Sequence, residues 1–537
     1  MAGTATVATG FGATRLWRRE LAGYPSNAVR VLNLTIVVLA TITLYYQFYL
    51  AGAVATRIIA EYQMSFVYYV NISVVGYVLG ALASFTAGLA DRYGRANIVT
   101  AGLLLTGLLC LFAIPHAGSK FTFGLAFVGL GVVEGIILVA TPALIRDFSP
   151  QLGRASAMGF WTLGPVLGSL VVSIMVSTSS DTRPWQDQYI VCGVVGLVIF
   201  ALAAVGLREL APNLRDQLMV SSRDRALIEA RAKGIDVAAS LRHPFRQMLK
   251  PDIIASAFAI SVFLIIYYLA VGFFPVFFQT VFGYTQSEAN ALGNWFWAFD
   301  ALALLVIGFL SDLTRVRKPF MLVGAIVSIV FTVIFALKAA DLHTSYNTFV
   351  VLLIINSIFL GVAYAPWMAS FTETVERRNP ALTATGLAVW GLVIRIVIAL
   401  AVFFVPLVVN SVTPLVDSGP QVQAIASGQD PNLSAAENAT VKAIAANPAA
   451  AATAGPLDAN VQAALAYLKA NAPAVTKAAA QAPKQWQTYF WVAVGGEVLF
   501  IPFIFVMAGF WDPRKAKKKE QEHEAWVEAE LAKLRAG

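Results

Sequence analysis

The chain has 537 residues, 58% of them hydrophobic and 13% charged, with a formal net charge of +8 and a mean hydropathy of +0.70. Soluble domains carry about 25% charged residues, so this composition excludes a water-soluble enzyme. The basic residues form no aromatic-interleaved patch of the kind that binds nucleic acid, and Cys110 and Cys192, both inside apolar runs, imply neither a disulfide framework nor a metal site.

A transmembrane helix needs about 20 consecutive apolar residues. Twelve such runs follow in order: 33–54, 66–90, 97–115, 121–145, 156–178, 187–207, 252–281, 288–310, 319–340, 347–371, 383–412 and 487–511. None alternates as a barrel strand does, so the expected fold is an all-α polytopic membrane protein of twelve spans. An arm, 1–32, with Arg15, Arg18, Arg19 and Arg30, precedes span 1. It offers no A-x-A-like cleavage site, so span 1 reads as retained. Spans 1–6 occupy 33–207. In the polar segment 208–251, Ser221 and Asp224 form a capping box and Gly234 ends a short helix. Spans 7–12 occupy 252–511, with a long Ala-rich loop, 413–486, between the last two. There Ser434 and Glu437 form a second capping box, and Val461, Leu465 and Leu468 follow Asp458 at helical spacing. Two short helices are expected, either over the outer mouth or in a loosely ordered insertion. The tail, 512–537, begins near the basic run 514–519, which suits anionic lipid or ordinary cytoplasmic anchoring.

With the N-terminus inside, 29 of the 38 lysines and arginines fall on the cytoplasmic side, as the positive-inside rule requires. Both termini are then cytoplasmic, and the plasma membrane of a bacterium is the expected location. The sequence also repeats itself. Asp91 and Asp312 are 221 residues apart, Tyr45-Tyr46 and Tyr267-Tyr268 are 222 apart, and 157–160 matches 384–387 at 227. Three matches in one order, with offsets that barely drift, indicate duplication of a six-span unit.

Each half carries a short charged turn. In the first, Leu89, Ala90, Asp91, Arg92, Gly94 and Arg95 stand between spans 2 and 3; in the second, Gly308, Leu310, Ser311, Asp312 and Arg315 precede span 9. These turns, the twelve spans and the central loop resemble the major facilitator superfamily. That resemblance implies two pseudo-symmetric six-helix halves with a substrate site between them. A carboxylate at such a turn can pair with arginines and cap a neighbouring helix. Asp91, Arg92, Gly94, Arg95, Gly308, Asp312 and Arg315 are therefore expected to form a conformational clasp; plain positive-inside anchoring would explain the arginines alone.

Three spans hold charges at mid-depth. Glu134 lies 12 residues before Arg146, Asp300 lies 12 before Asp312, and Arg395 lies 15 after Pro380, or about 18, 18 and 22 Å along a helix. Such charges face a cavity or a partner and mark substrate or proton paths. Glu134, in a setting similar to span 4 of the superfamily's organic-anion/proton symporters, is the first proton-coupling candidate and Asp300 the second. Arg395 either binds an anionic substrate or neutralises Asp300 or Glu134. Tyr45, Tyr46, Tyr267, Tyr268, Asn294 and Trp297 complete the substrate-binding candidates, and Glu497 in span 12 reads as structural. Gly164-Pro165-x-x-Gly168 is similar to the superfamily's exporter motif, and equally suits close helix packing.

The function expected is a proton-coupled secondary transporter, symporter or antiporter, moving a small organic solute, perhaps anionic, by alternating access. One rival is a proton-coupled exporter of lipophilic compounds; another is a membrane sensor or scaffold that transports nothing. The four histidines lie outside the spans and form no ligand cluster, and no nucleotide-binding P-loop occurs. No enzymatic activity, cofactor or metal is expected. The partners foreseen are the substrate, protons and the bilayer, without nucleic acid, around a monomer.

Overall fold

The structure is a computed structural model that describes residues 19–21, 23, 25–83, 94–148, 154–210, 244–378, 383–449, 456–507, 509–519, 521, 522, 525 and 529. Among these, ten helices are long and apolar enough to cross a membrane. Span 7 adds another as a broken helix: Pro251–Phe263 meets Ile265–Gly272 at 46°, and Phe274–Phe282 continues it. Span 5 is Arg154–Ser177, whose described apolar stretch, Thr162–Ser177, is shorter than the others. The fold is therefore the expected twelve-helix arrangement in two halves.

Local chemistry explains the boundaries. Span 7 leaves helical geometry at Leu264 and Phe273. Pro275 restarts it in a first turn, where its missing N–H has no intrahelical partner to lose. Gly283, at φ 67°, closes it in the left-handed conformation. Span 8, Gln286–Thr314, opens on a reciprocal capping box: the Glu288 N–H donates to Thr285 Oγ1 at 3.2 Å and the Thr285 N–H to Glu288 Oε2 at 2.9 Å. Span 1, Asn27–Ala53, begins earlier than its apolar run because polar residues extend its first turns.

One pairing was not legible in sequence. Glu20–Leu21 (β1) lies parallel to Glu209–Leu210 (β2), tying the arm to the segment after span 6. Arg19 reinforces this, donating to Thr100 Oγ1 at 2.7 Å and to the Ala203 carbonyl at 2.8 Å. Glu209 accepts the Arg95 N–H at 2.9 Å, at the start of span 3. The capping box at Ser221 and Asp224 falls outside the described residues.

The segment between spans 11 and 12 corrects the expectation of two short helices. Three short helices, Val412–Asp417, Gly419–Ser427 and Ala435–Ala446, come first. The expected helix after Asp458 then runs without interruption into span 12, as one 48-residue helix, Ala459–Val506. Alanine-rich sequence has the highest helix propensity, and Pro473 and Pro483 are carried inside it. Ile425, Val441, Val461 and Ala464 form a small separate core, so this cap packs on the extension of span 12. We call this the cap end of the bundle, and the opposite one, with Arg19 and Glu209, the terminal end.

Across the seam, span 5 lies along span 8 and span 2 along span 11. Every described hydrogen bond between the halves is at the cap end. Thr56 donates to Gln279 Oε1 at 3.0 Å, Asn290 to the Ala53 carbonyl at 3.1 Å and Asn294 to Ser177 Oγ at 2.9 Å. The Ser287 N–H meets Asp181 Oδ1 at 3.0 Å, its hydroxyl donates to the Ser177 carbonyl, and the Phe66 N–H meets Asp417 Oδ1 at 2.8 Å. Gly293 sits so near Ser173 that an added Cβ would lie 2.3 Å from its hydroxyl. The halves are closed together at the cap end.

Candidate functional site

Glu134 lies midway along span 4, Lys120–Phe148, and is only 7% exposed. The chain can approach there because Gly135 packs on span 2, where a Cβ would come within 2.2 Å of the Gly80 carbonyl. From the other half, half-buried Arg395 of span 11, Thr383–Val408, comes within electrostatic range of Glu134, Tyr45 and Tyr268. Asp300, 3% exposed in span 8, stands apart from that cation. Its Oδ1 faces Gly361 of span 10, where a Cβ would sit at 3.0 Å, and its charge reaches Tyr267 and Tyr364. Among the described residues neither carboxyl makes a hydrogen bond or ion pair. Of the partners open to Arg395 in the sequence, the structure brings it to Glu134.

The two tyrosine pairs divide. Tyr267 and Tyr268 pack 5.2 Å apart, centroid to centroid, and Tyr267 meets Trp297 at 4.9 Å. Tyr45 stacks at 5.2 Å on Tyr49. Tyr46 instead turns into the amino-terminal half beside Cys110 and Cys192, so it lies apart from the seam group. Asn294 is a seam tie to Ser177. Sequence reasoning missed Tyr49, one helical turn beyond Tyr45, as well as Tyr77, near Glu134, and Tyr364. The first carried a signal, the i,i+4 spacing; the others are single tyrosines in apolar runs.

Toward the cap end this group opens into a cavity of about 450 Å³ between the halves, walled by Tyr49, Ser169, Ala270, Phe274 and Trp297 among others.

The charged turns lie at the terminal end. Asp91 and Arg92 are outside the described residues. Gly94 has φ 92°, and Arg95 begins span 3 with its N–H on Glu209. In the second turn Asp312 pairs with Arg317 at 2.6 Å. Arg317 also meets Glu373 of span 10 at 3.3 Å and donates to Ser311 Oγ at 2.7 Å. Arg315, at φ 59°, ends span 8 in the left-handed region, and Gly308 lies one and a half turns earlier within it. This turn thus joins spans 8, 9 and 10 of one half. Glu497 accepts hydrogen bonds from Ser328 at 3.1 Å and Thr332 at 2.8 Å, binding span 12 to span 9.

The sequence profile of the Major Facilitator Superfamily matches residues 37–296 and 265–415. The chain belongs to the Major Facilitator Superfamily. Members of this superfamily are transport proteins, not enzymes. Among solved structures, a bacterial homolog of the human lysosomal transporter Spinster, in an inward-facing and occupied conformation, superposes with a TM-score of 0.60 at 17% identity, over 90% of this chain and 97% of that one. A D-xylose–proton symporter gives 0.54 at 13% identity, over 71% and 90%. Among curated relatives, a probable chloroplastic anion transporter 3 of Arabidopsis thaliana is 27% identical over 46% of this chain and 50% of its own length. The multidrug resistance protein MdtL of Shewanella oneidensis is 30% identical over 23% and 31%. The chain thus spans half or less of the length of these curated relatives.

Proposed function

We propose that this superfamily member is a proton-coupled secondary active transporter of a small organic anion, working by alternating access across the plasma membrane. The observation that carries the reading is Arg395 facing Glu134 across the seam, ringed by Tyr45 and Tyr268. An ionised Glu134 occupies the electrostatic field of the guanidinium. A proton on Glu134 frees that field for a substrate carboxylate or phosphate, which Arg grips with two prongs. Proton and anion then load together, and rocking of the halves carries both. With the terminal end cytoplasmic, the closed cap end makes this an inward-facing form. The likeness to a probable anion transporter and to a proton symporter supports the same reading. Asp300 stands as the second proton candidate, and Asp91 with Arg92 and Asp312 with Arg317 as the ties that bias the two states.

The test is a panel of organic acids on proteoliposomes under an imposed pH gradient. Gradient-driven accumulation is expected, and Glu134→Gln should abolish it while leaving substrate exchange. Accumulation that survives Glu134→Gln transfers the coupling to Asp300. A specific observation favours a second reading, export of lipophilic compounds: the cavity beside the site is walled mainly by apolar and aromatic side chains. Efflux driven by protons, with no response to carboxylates, selects it.

A further inference from the structure

The cavity toward the cap end contains a polar atom to which the fold gives no partner. Ser169 of span 5 is 3% exposed and lines the cavity, and its hydroxyl makes no hydrogen bond. A buried hydroxyl in that position carries a desolvation cost that a suitable ligand atom removes. The rest of the wall is apolar, with Val172 of span 5, Ala270 and Phe274 of span 7, and Phe296 and Trp297 of span 8. Both halves contribute, so whatever fills the cavity is gripped by both. Its volume of about 450 Å³ falls within the roughly 300–1,000 Å³ of small-molecule sites.

The cavity is joined to the charged group by one side chain. Tyr49 lines it and packs 5.2 Å from Tyr45, which lies within the electrostatic range of Arg395. One helical turn, about 5–6 Å of span 1, separates these two tyrosines. That is the reach of a short alkyl chain. A ligand with its acid group at Arg395 would therefore extend along Tyr45 and Tyr49 and place its far end among Phe274, Phe296 and Trp297, whose faces and edges suit a ring.

We infer that this cavity is a subsite for the apolar, ring-bearing body of an amphipathic organic anion, with Ser169 meeting a hydrogen-bonding group on that body. This rests on the anion reading above and narrows it.

The test is calorimetric binding of acetate, butyrate, 4-phenylbutyrate and 4-(4-hydroxyphenyl)butyrate to the purified full chain. Affinity should rise at least about tenfold from butyrate to 4-phenylbutyrate, and by roughly fivefold more with the ring hydroxyl. Ala270→Phe, which fills the cavity, should return 4-phenylbutyrate to the affinity of butyrate. Ser169→Ala, a change small enough to spare folding, should remove only the increment from the hydroxyl. Affinity that ignores the ring, a ring preference that survives Ala270→Phe, a hydroxyl increment that survives Ser169→Ala, or binding of none of the probes overturns the subsite. Arg395→Ala separates this inference from the reading beneath it. If the ring preference persists undiminished without Arg395, the subsite stands and the anion reading falls. If carboxylate binding is lost in that variant but the wild type never favoured the ring, the anion reading stands and the subsite falls.

Discussion

Arg395 and Glu134 belong to different halves, so their mutual field exists only while spans 4 and 11 face each other. Removing the guanidinium leaves a buried carboxyl without its counter-charge. Arg395→Ala should therefore lower thermal stability by about 1–2 kcal/mol, less than the roughly 3–5 of a broken close pair, since no ion pair joins the two among the described residues. Glu134→Gln in the same chain should recover most of that loss, and Asp300→Asn should not. Melting curves in detergent decide it, and recovery by Asp300→Asn instead would reassign the partner. Depth along a span is legible in sequence because an apolar helix advances a fixed 1.5 Å per residue. Direction around the axis is not, since spans apolar on every side give no amphipathic stripe. That is why the three mid-depth charges could be found and Arg395's partner could not. It is also why Tyr45 and Tyr46, about 100° apart on one helix, were grouped together although they face different surroundings.

At the scale of elements, end signals were read well and continuity poorly. The Ser434–Glu437 box forms as spaced: the Ser434 N–H donates to Glu437 Oε2 at 2.7 Å and the Glu437 N–H to Ser434 Oγ at 3.3 Å. The prolines at 473 and 483 read as breaks between a surface helix and span 12, because an interior proline costs about 3 kcal/mol of helix. They are absorbed where Pro483 and Trp486 are buried, so tertiary packing outweighs the local penalty. The β1–β2 pairing was illegible because two residues per strand leave no periodicity. Hydrogen bonds from the hydroxyl and N–H of Ser434 and from Asn460 hold the Glu437 carboxyl below its ordinary range. A lowered folded-state value means that this cap's contribution is complete above the unfolded carboxylate range, near pH 4.3. It is lost as pH falls through the lowered value. Hydrogen exchange over 435–446 should show steady protection at neutral pH that declines on acidification below about pH 4. Ser434→Ala should cut the neutral protection about fivefold and flatten that acid limb. An unchanged limb would mean that the helix is held by the small apolar core alone.

Across the whole molecule, the described ties between halves gather at one end. The duplicated sequence revealed that two halves exist, but a repeat cannot indicate which of its ends is shut. The ties rest on side chains whose partners lie more than a hundred residues away, as with Asn290 and the Ala53 carbonyl or Ser287 and Ser177. Removing them biases the open form without touching the charged group. Asn290→Ala combined with Ser287→Ala should shift the population toward cap-end opening by roughly 1–3 kcal/mol, at about 0.5–1.5 for each hydrogen bond. The measurement is spin-label distances between residues 120 and 286. A distribution unchanged by the double substitution would place the closing energy in the apolar contacts instead.

The uninterrupted helix through span 12 turns that population into a mechanical signal. Its stretch before Gln487 stands about 40 Å long, fixed at its base to the carboxyl-terminal half by Trp486 and Phe490 packing on Phe277. It works as a pointer on a dial. One degree of tilt between the halves moves its tip by about 0.7 Å over that length, so a rocking step too small to resolve at the seam becomes a displacement of several ångströms at Asp458. A fluorophore there, read against one beside Lys120, would time each stroke of a single transporter, whatever its cargo.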